Sequence, residues 1–174
     1  AQEMNYWLLF GEVADESEQK KIYQVEKLAQ DFIRQRVSGV IYQPIDYVKD
    51  GEAVNRRVLA QFDAARIPVV LCDYDFVDTA RSAYDVVGIN NIEAGAVMAK
   101  HLLSAGAKKV CLHLKPNAPK SHRDYIRGAR SEILDTGKAI ARTLVSGPDD
   151  VESLRRFLKR WRPDAFICGN DSSA

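Results

Sequence analysis

Two hydrophobic periods alternate along the chain. Short runs rich in β-branched and aromatic residues, at 6–10, 40–42, 69–72, 86–90, 110–114, 139–145 and 165–168, predict strands. Between them apolar residues recur at three-and-four spacing. Ile22, Val25, Leu28, Ala29, Phe32 and Ile33 form one stripe within residues 17–37, and Val54, Val58, Phe62 and Ala65 form a second. Val151, Leu154, Phe157, Leu158 and Trp161 form another, with Arg155, Arg156 and Lys159 on the opposite side. Each stripe can cover one face of a sheet. The strand runs are almost continuously apolar, as strands covered on both faces must be, so the pattern predicts a doubly wound α/β fold with parallel sheets.

The helix starts carry capping signals that fix where the loops end. Asn90 with Glu93 and Ser121 with Asp124 have capping-box spacing, and Asp149 or Asp150 precedes the helix that begins at Val151. In open α/β sheets ligands bind beyond the carboxyl ends of the strands. The polar residues expected there are Gln43, Asp73, Tyr74, Asp75, Asn90, Asn91, Ser121, Arg123, Asn170 and Asp171. Capping needs only one of Asn90 and Asn91, so the other can offer a donor and an acceptor to an amide-bearing or polyhydroxylated ligand. Asp171 can cap a following helix and leave Asn170 without a local duty. An Arg near a helix N-terminus is disfavoured by the helix dipole, so the position of Arg123 asks for an acidic or hydroxylated partner.

Composition narrows the chemistry. The 174 residues suffice for one domain or two small lobes, and 25 Lys and Arg balance 24 Asp and Glu, so bulk charge selects no nucleic-acid partner for this segment. No apolar run approaches the roughly 20 residues of a membrane span, and the N-terminus carries no signal-peptide pattern. Without an initiator Met, and with Asp171-Ser172-Ser173-Ala174 opening what looks like a new helix, the chain is expected to be a piece of a longer protein. Cys72, Cys111 and Cys168 each sit in an apolar run, lack Cys-x-x-Cys spacing and have no second pair of ligands among His101, His113 and His122. Free thiols in a reducing compartment are expected, with no metal and no cofactor.

Several enzyme signatures are missing. The glycines never take the two-then-three spacing of a dinucleotide turn, and neither a Gly-Lys-Ser/Thr phosphate loop nor a Gly-x-Ser-x-Gly elbow occurs. Asp73-Tyr74-Asp75 after a buried strand resembles the Asp-x-Asp of haloacid-dehalogenase-type phosphatases. Two strands precede it, however, and no Lys partner or distal acidic pair follows. Asp residues that cap a turn explain the same residues.

Five strings in order resemble one family. Val37-Ser38-Gly39-Val40-Ile41-Tyr42-Gln43-Pro44 is similar to "VDGIIL-P", Ala65-Arg66-Ile67-Pro68-Val69-Val70-Leu71-Cys72-Asp73 to "GIPVVLID", and Val87-Gly88-Ile89-Asn90-Asn91-Ile92-Glu93-Ala94-Gly95 to "VGVDNYEAG". His101-Leu102-Leu103-Ser104-Ala105-Gly106 resembles "HLLELGH", and Arg162-Pro163-Asp164-Ala165-Phe166-Ile167-Cys168-Gly169-Asn170-Asp171 resembles "RPDAIFCAND". Together they look like the effector-binding region of LacI/GalR-type transcription regulators, related to periplasmic sugar-binding proteins of the ribose-binding type.

The resemblance implies a two-lobed periplasmic-binding-protein-like fold with ligand between the lobes. Residues 1–107 would form an N-terminal lobe lacking its first strand and helix, and 108–174 an incomplete C-terminal lobe. It places Asp73, Tyr74, Asn90 and Asn91 on one side of the ligand and Ser121, Arg123 and Asn170 on the other. Tyr125 stands where many family members carry Arg, and Asp149 where an aromatic is frequent. The implied function is effector sensing, with a sugar as ligand, by a cytoplasmic homodimer that binds operator DNA through a helix-turn-helix upstream of this chain. A transporter's periplasmic sugar-binding protein is the alternative and a phosphatase the third reading.

Overall fold

The computed structural model describes residues 7–14, 17–147 and 149–170. Among the described residues there are five helices and six strands, alternating except that β3 follows β2 directly: α1 (Glu18–Arg34), β1 (Val40–Tyr42), α2 (Gly51–Ala64), β2 (Val69–Cys72), β3 (Asp85–Val87), α3 (Asn91–Ser104), β4 (Lys109–Leu114), α4 (Lys120–Thr136), β5 (Ile140–Val145), α5 (Val151–Trp161) and β6 (Ala165–Cys168). They build two three-stranded sheets, ordered β1-β2-β3 and β5-β4-β6, and every pairing is parallel. The α/β class expected from the apolar runs is the one found.

Each sheet has its own core. Val25 and Ala29 of α1, with Val54, Val58, Leu59 and Phe62 of α2, close over Leu71 of β2. In the second core Ala99 of α3 and Ile126, Ala129 and Ile133 of α4 pack on Val110, Leu112 and Ile167. Thus α3 belongs with the second sheet, although it precedes residue 107, where the sequence suggested a division. The reason is close helix contact: a Cβ on Gly95 would lie 1.8 Å from the Tyr125 carbonyl oxygen, and one on Gly128 would lie 1.9 Å from that of Ile92. Only glycine permits two backbones to approach so closely.

Three helices end alike. Residues Arg36, Arg66 and Gly106 take left-handed backbone, and the next N–H reaches back over five residues, from Val37 to the Phe32 carbonyl, Ile67 to Phe62 and Ala107 to Leu102. This is the Schellman arrangement, which satisfies the last carbonyls and turns an apolar residue back into the core. It also stops α1 at Arg34, short of the 17–37 span suggested by periodicity.

The run at 6–10 forms no strand over residues 7–10, and Tyr6 lies outside the described residues. Trp7 and Phe10 are almost fully exposed. A β-prone run becomes a strand only by pairing, and among the described residues nothing pairs with it. The run at 86–90 is also shortened, because at Gly88 the chain passes directly over Asp73.

Gly95→Val should lower the urea midpoint of the full-length protein, with a loss of about 1–3 kcal/mol from overpacking. An unchanged midpoint would mean that α3 and α4 are not in backbone contact.

Candidate functional site

The strand ends converge where the two sheets face each other. Asp73, one residue beyond β2, has φ +76°, and its N–H donates to the Val87 carbonyl at 2.8 Å. A Cβ on Gly88 would lie 2.1 Å from the Asp73 carbonyl oxygen, so the glycine makes room for this turn. Asp73 is therefore held in the left-handed region, costly for a residue with a Cβ, at the mouth of a cleft. Among the described residues no donor reaches its carboxylate.

The cleft measures about 770 Å³, and its polar lining includes Asp73, Asn91, His113, Ser121, His122 and Asn170. Its apolar lining includes Met98 of α3, Leu154 and Leu158 of α5, and Phe166 and Ile167 of β6. A recess of about 240 Å³ adjoins it, lined by Asp73, Tyr74, Asn90, Asn91 and Ser121 among others.

The sequence assigned Ser121 a capping role that the structure corrects. Pro119 occupies the N-cap position of α4, so Ser121 lies inside the first turn. Proline's fixed φ suits that entry, and Asp124 instead pairs with Lys120 at 2.7 Å and Arg127 at 3.1 Å. Ser121 is only 3% exposed, and its Oγ has no hydrogen-bond partner among the described residues. A buried hydroxyl without a partner is costly, and a ligand in the cleft could relieve it.

The other expected residues divide. Asn90 is the cap: its Oδ1 accepts from the Glu93 N–H at 3.3 Å and its Nδ2 donates to Glu93 Oε2 at 3.3 Å. Asn91, freed as expected, lines both cleft and recess, with a long 3.5 Å contact from Nδ2 to the Ile89 carbonyl. Tyr74 is buried, and its hydroxyl donates to the Pro44 carbonyl at 3.2 Å. Burial raises its pKa, fixing it as a neutral donor. Arg123 lines neither cavity: Nη1 donates to the Ala118 carbonyl at 2.6 Å and Nη2 pairs with Asp78. The acidic partner that its position demanded is thus a carboxylate of the chain itself, reached across the junction between the sheets.

Asn170 lies within hydrogen-bond range of a residue that the sequence reading missed. Its Nδ2 donates to the Tyr47 hydroxyl at 3.1 Å, and that hydroxyl lies 2.7 Å from His122 Nδ1. Tyr47 follows β1 at the same sheet edge that drew attention to Gln43, so topology was the available signal. His122 was hidden between Ser121 and Arg123. Burial holds its imidazole below the ordinary histidine value.

Asp75, the second residue of the Asp-x-Asp string, accepts from the Val77 N–H at 3.0 Å and the Ser82 N–H at 2.7 Å. Both carboxylate oxygens organise the turn, as the plainer interpretation of that string requires. Among the described residues no group of three or more His, Cys, Asp or Glu is placed to hold a metal ion, and no helix is long and apolar enough to cross a membrane.

Two parallel α/β sheets that meet at the carboxyl ends of their strands, with a cleft between, define a class of two-lobed ligand-binding proteins. Residues 9–174 match the family described as "Periplasmic binding protein domain", and the chain belongs to that family. Its fold is similar to that of the transcription regulator CcpA of Lactococcus lactis (TM-score 0.65, 18% identity, covering 91% of this chain and 56% of that one). It is also similar to a periplasmic sugar-binding protein of an ABC sugar transporter from Legionella pneumophila (TM-score 0.67, 17% identity, 90% and 57% covered). A third similar structure is GanP, a glucose-galactose binding protein from Geobacillus stearothermophilus (0.63, 20%, 84% and 52%). At these identities the likeness is one of fold, and the chain spans little more than half the length of each. Among curated proteins none matches it.

Replacing Asp73 by Gly removes the left-handed strain and should raise the unfolding free energy of the full-length protein by up to about 1 kcal/mol. Asp73→Val should instead lower it, and calorimetric melting of the two variants checks the order.

Proposed function

We propose that the chain is the effector-binding part of a DNA-binding transcriptional regulator, and that its effector is a small hydroxylated molecule, a sugar, held between two lobes. The observation that carries this reading is the unspent hydrogen-bonding capacity at one cleft: the Asp73 carboxylate and the buried Ser121 hydroxyl, with Asn91 beside them. A carboxylate accepting two hydroxyls, flanked by an amide and a hydroxyl, suits a polyol better than an anion. Asp73, Asn91, Ser121 and Asn170 are the proposed ligand contacts. Asn90 and Tyr74 shape the recess, and Arg123 joins the lobes through Asp78. The proposed lobe junction is the crossing at residues 88–90, which leaves α3 in the second lobe.

The remaining parts of the reading are operator DNA bound by a helix-turn-helix upstream, a homodimer, and a cytoplasmic location. Similarity of fold to a transcription regulator supports the regulatory role from which they follow. Similarity to the Legionella and Geobacillus sugar-binding proteins supports a second reading, a binding protein that serves a transporter. Upstream sequence separates the two: a helix-turn-helix favours the regulator and a signal peptide the transporter component.

Calorimetry of the full-length protein across pentoses, hexoses and purines should find a ligand. Ser121→Ala and Asn91→Ala should each weaken its binding by about 3- to 10-fold, and Asp73→Asn by about 10- to 100-fold, as expected for neutral and charged hydrogen bonds. Unchanged affinity in all three variants would move the site elsewhere. Aryl phosphate hydrolysis with Mg²⁺ that disappears in Asp73→Asn would replace the binding reading by the enzymatic one.

A further inference from the structure

Tyr47 joins the two lobes through a single hydroxyl. Its ring leaves a backbone with φ +54°, which a bulky residue seldom adopts, and tilts at 51° to the His122 ring with centroids 5.8 Å apart. The hydroxyl accepts from Asn170 Nδ2 (3.1 Å), so its own proton points to His122 Nδ1 (2.7 Å). That arrangement requires His122 to be neutral, with Nδ1 unprotonated. Protonation makes Nδ1 a donor. The phenol oxygen would then face two donors, and its proton would lose its acceptor. The Lys115 ammonium, 5.8 Å from the Tyr47 ring centroid, adds a further positive charge on that side.

We propose that Tyr47, His122 and Asn170 form a proton-controlled latch between the lobes, closed while His122 is neutral and released when it gains a proton. The latch rests on the two-lobed binding reading and adds a regulation to it: effector affinity falls with acidification because closure does.

The charged groups around His122 act in both directions. Asp46, from the loop after β1, and Asp73, beyond β2, favour the imidazolium, whereas Lys115, beyond β4, and above all burial against the first lobe oppose it. The net effect is a depressed pKa in the closed form. An opened lobe restores water to His122 and returns it toward the ordinary value of 6.5. The open form then binds more protons, so closure is fully favoured above that value and weakens as pH falls below it.

The test uses ligand-free full-length protein with a donor and acceptor dye on opposite lobes, titrated from pH 8 to pH 5. Wild type should open as the pH falls below about 6.5. Tyr47→Phe, which keeps the ring and loses the hydroxyl, should be more open at pH 8 and respond to pH at least threefold less. His122→Asn, which retains an amide acceptor and cannot titrate, should stay closed throughout. Wild-type behaviour in Tyr47→Phe, or a pH response in His122→Asn equal to that of wild type, would overturn the latch. Because no effector is present, this result stands apart from the sugar-binding titrations: a latch that opens on cue with no sugar bound in the panel would count against the ligand assignment alone.

Discussion

The six strands of the described residues pair only in parallel within their two sheets, so in each sheet the carboxyl ends of the strands open into loops at the same edge. Main-chain groups no longer used by the ladder and the side chains beside them gather there. With two such sheets facing each other, Asp73 and Tyr47 from one meet Ser121, His122 and Asn170 from the other. The chemistry of the cleft follows from strand direction before any particular side chain is considered.

Close backbone approach then sets the geometry. Gly88 lets the crossing chain pass over Asp73, while Gly95 and Gly128 let α3 and α4 touch along their backbones. The second contact draws α3 into the second core and carries Asn91, at its first turn, into the cleft. The left-handed backbone at Asp73 and Tyr47 shows the same economy at the junction itself. Strain at both residues is sustained by the packed sheets behind them, and each presents a polar group toward the opposite lobe.

Satisfied and unsatisfied polar groups distinguish scaffold from site. Asn55 is buried in the first core with its amide fully engaged: Oδ1 accepts from the Tyr42 hydroxyl (2.6 Å) and the Ile45 N–H (2.9 Å), and Nδ2 donates to the Gly51 carbonyl (2.9 Å). It ties the β1 loop to α2 and has nothing left for a ligand. Ser121 is as deeply buried and has no such partner, so the two residues, alike in exposure, differ in what they can do.

The α/β class was legible in the sequence because it rests on local period: apolar stripes at helical spacing and unbroken apolar strands are properties of neighbouring residues. The same is true of the Asn90 cap, the Asp150 cap and the turn at Asp75, each a contact over a few positions. Capping logic failed at Ser121 because Pro119 took the N-cap position, and the strand expected at 6–10 failed because pairing is a long-range event. Partners far apart in sequence were invisible for the same reason: Arg123 finds Asp78 and Asn170 finds Tyr47 only after two sheets have folded and faced each other. Local spacing determined the elements and which of their ends would be polar; tertiary structure alone decided which polar groups were consumed by the fold and which were not, since satisfaction of a hydrogen bond depends on a partner that no local pattern records.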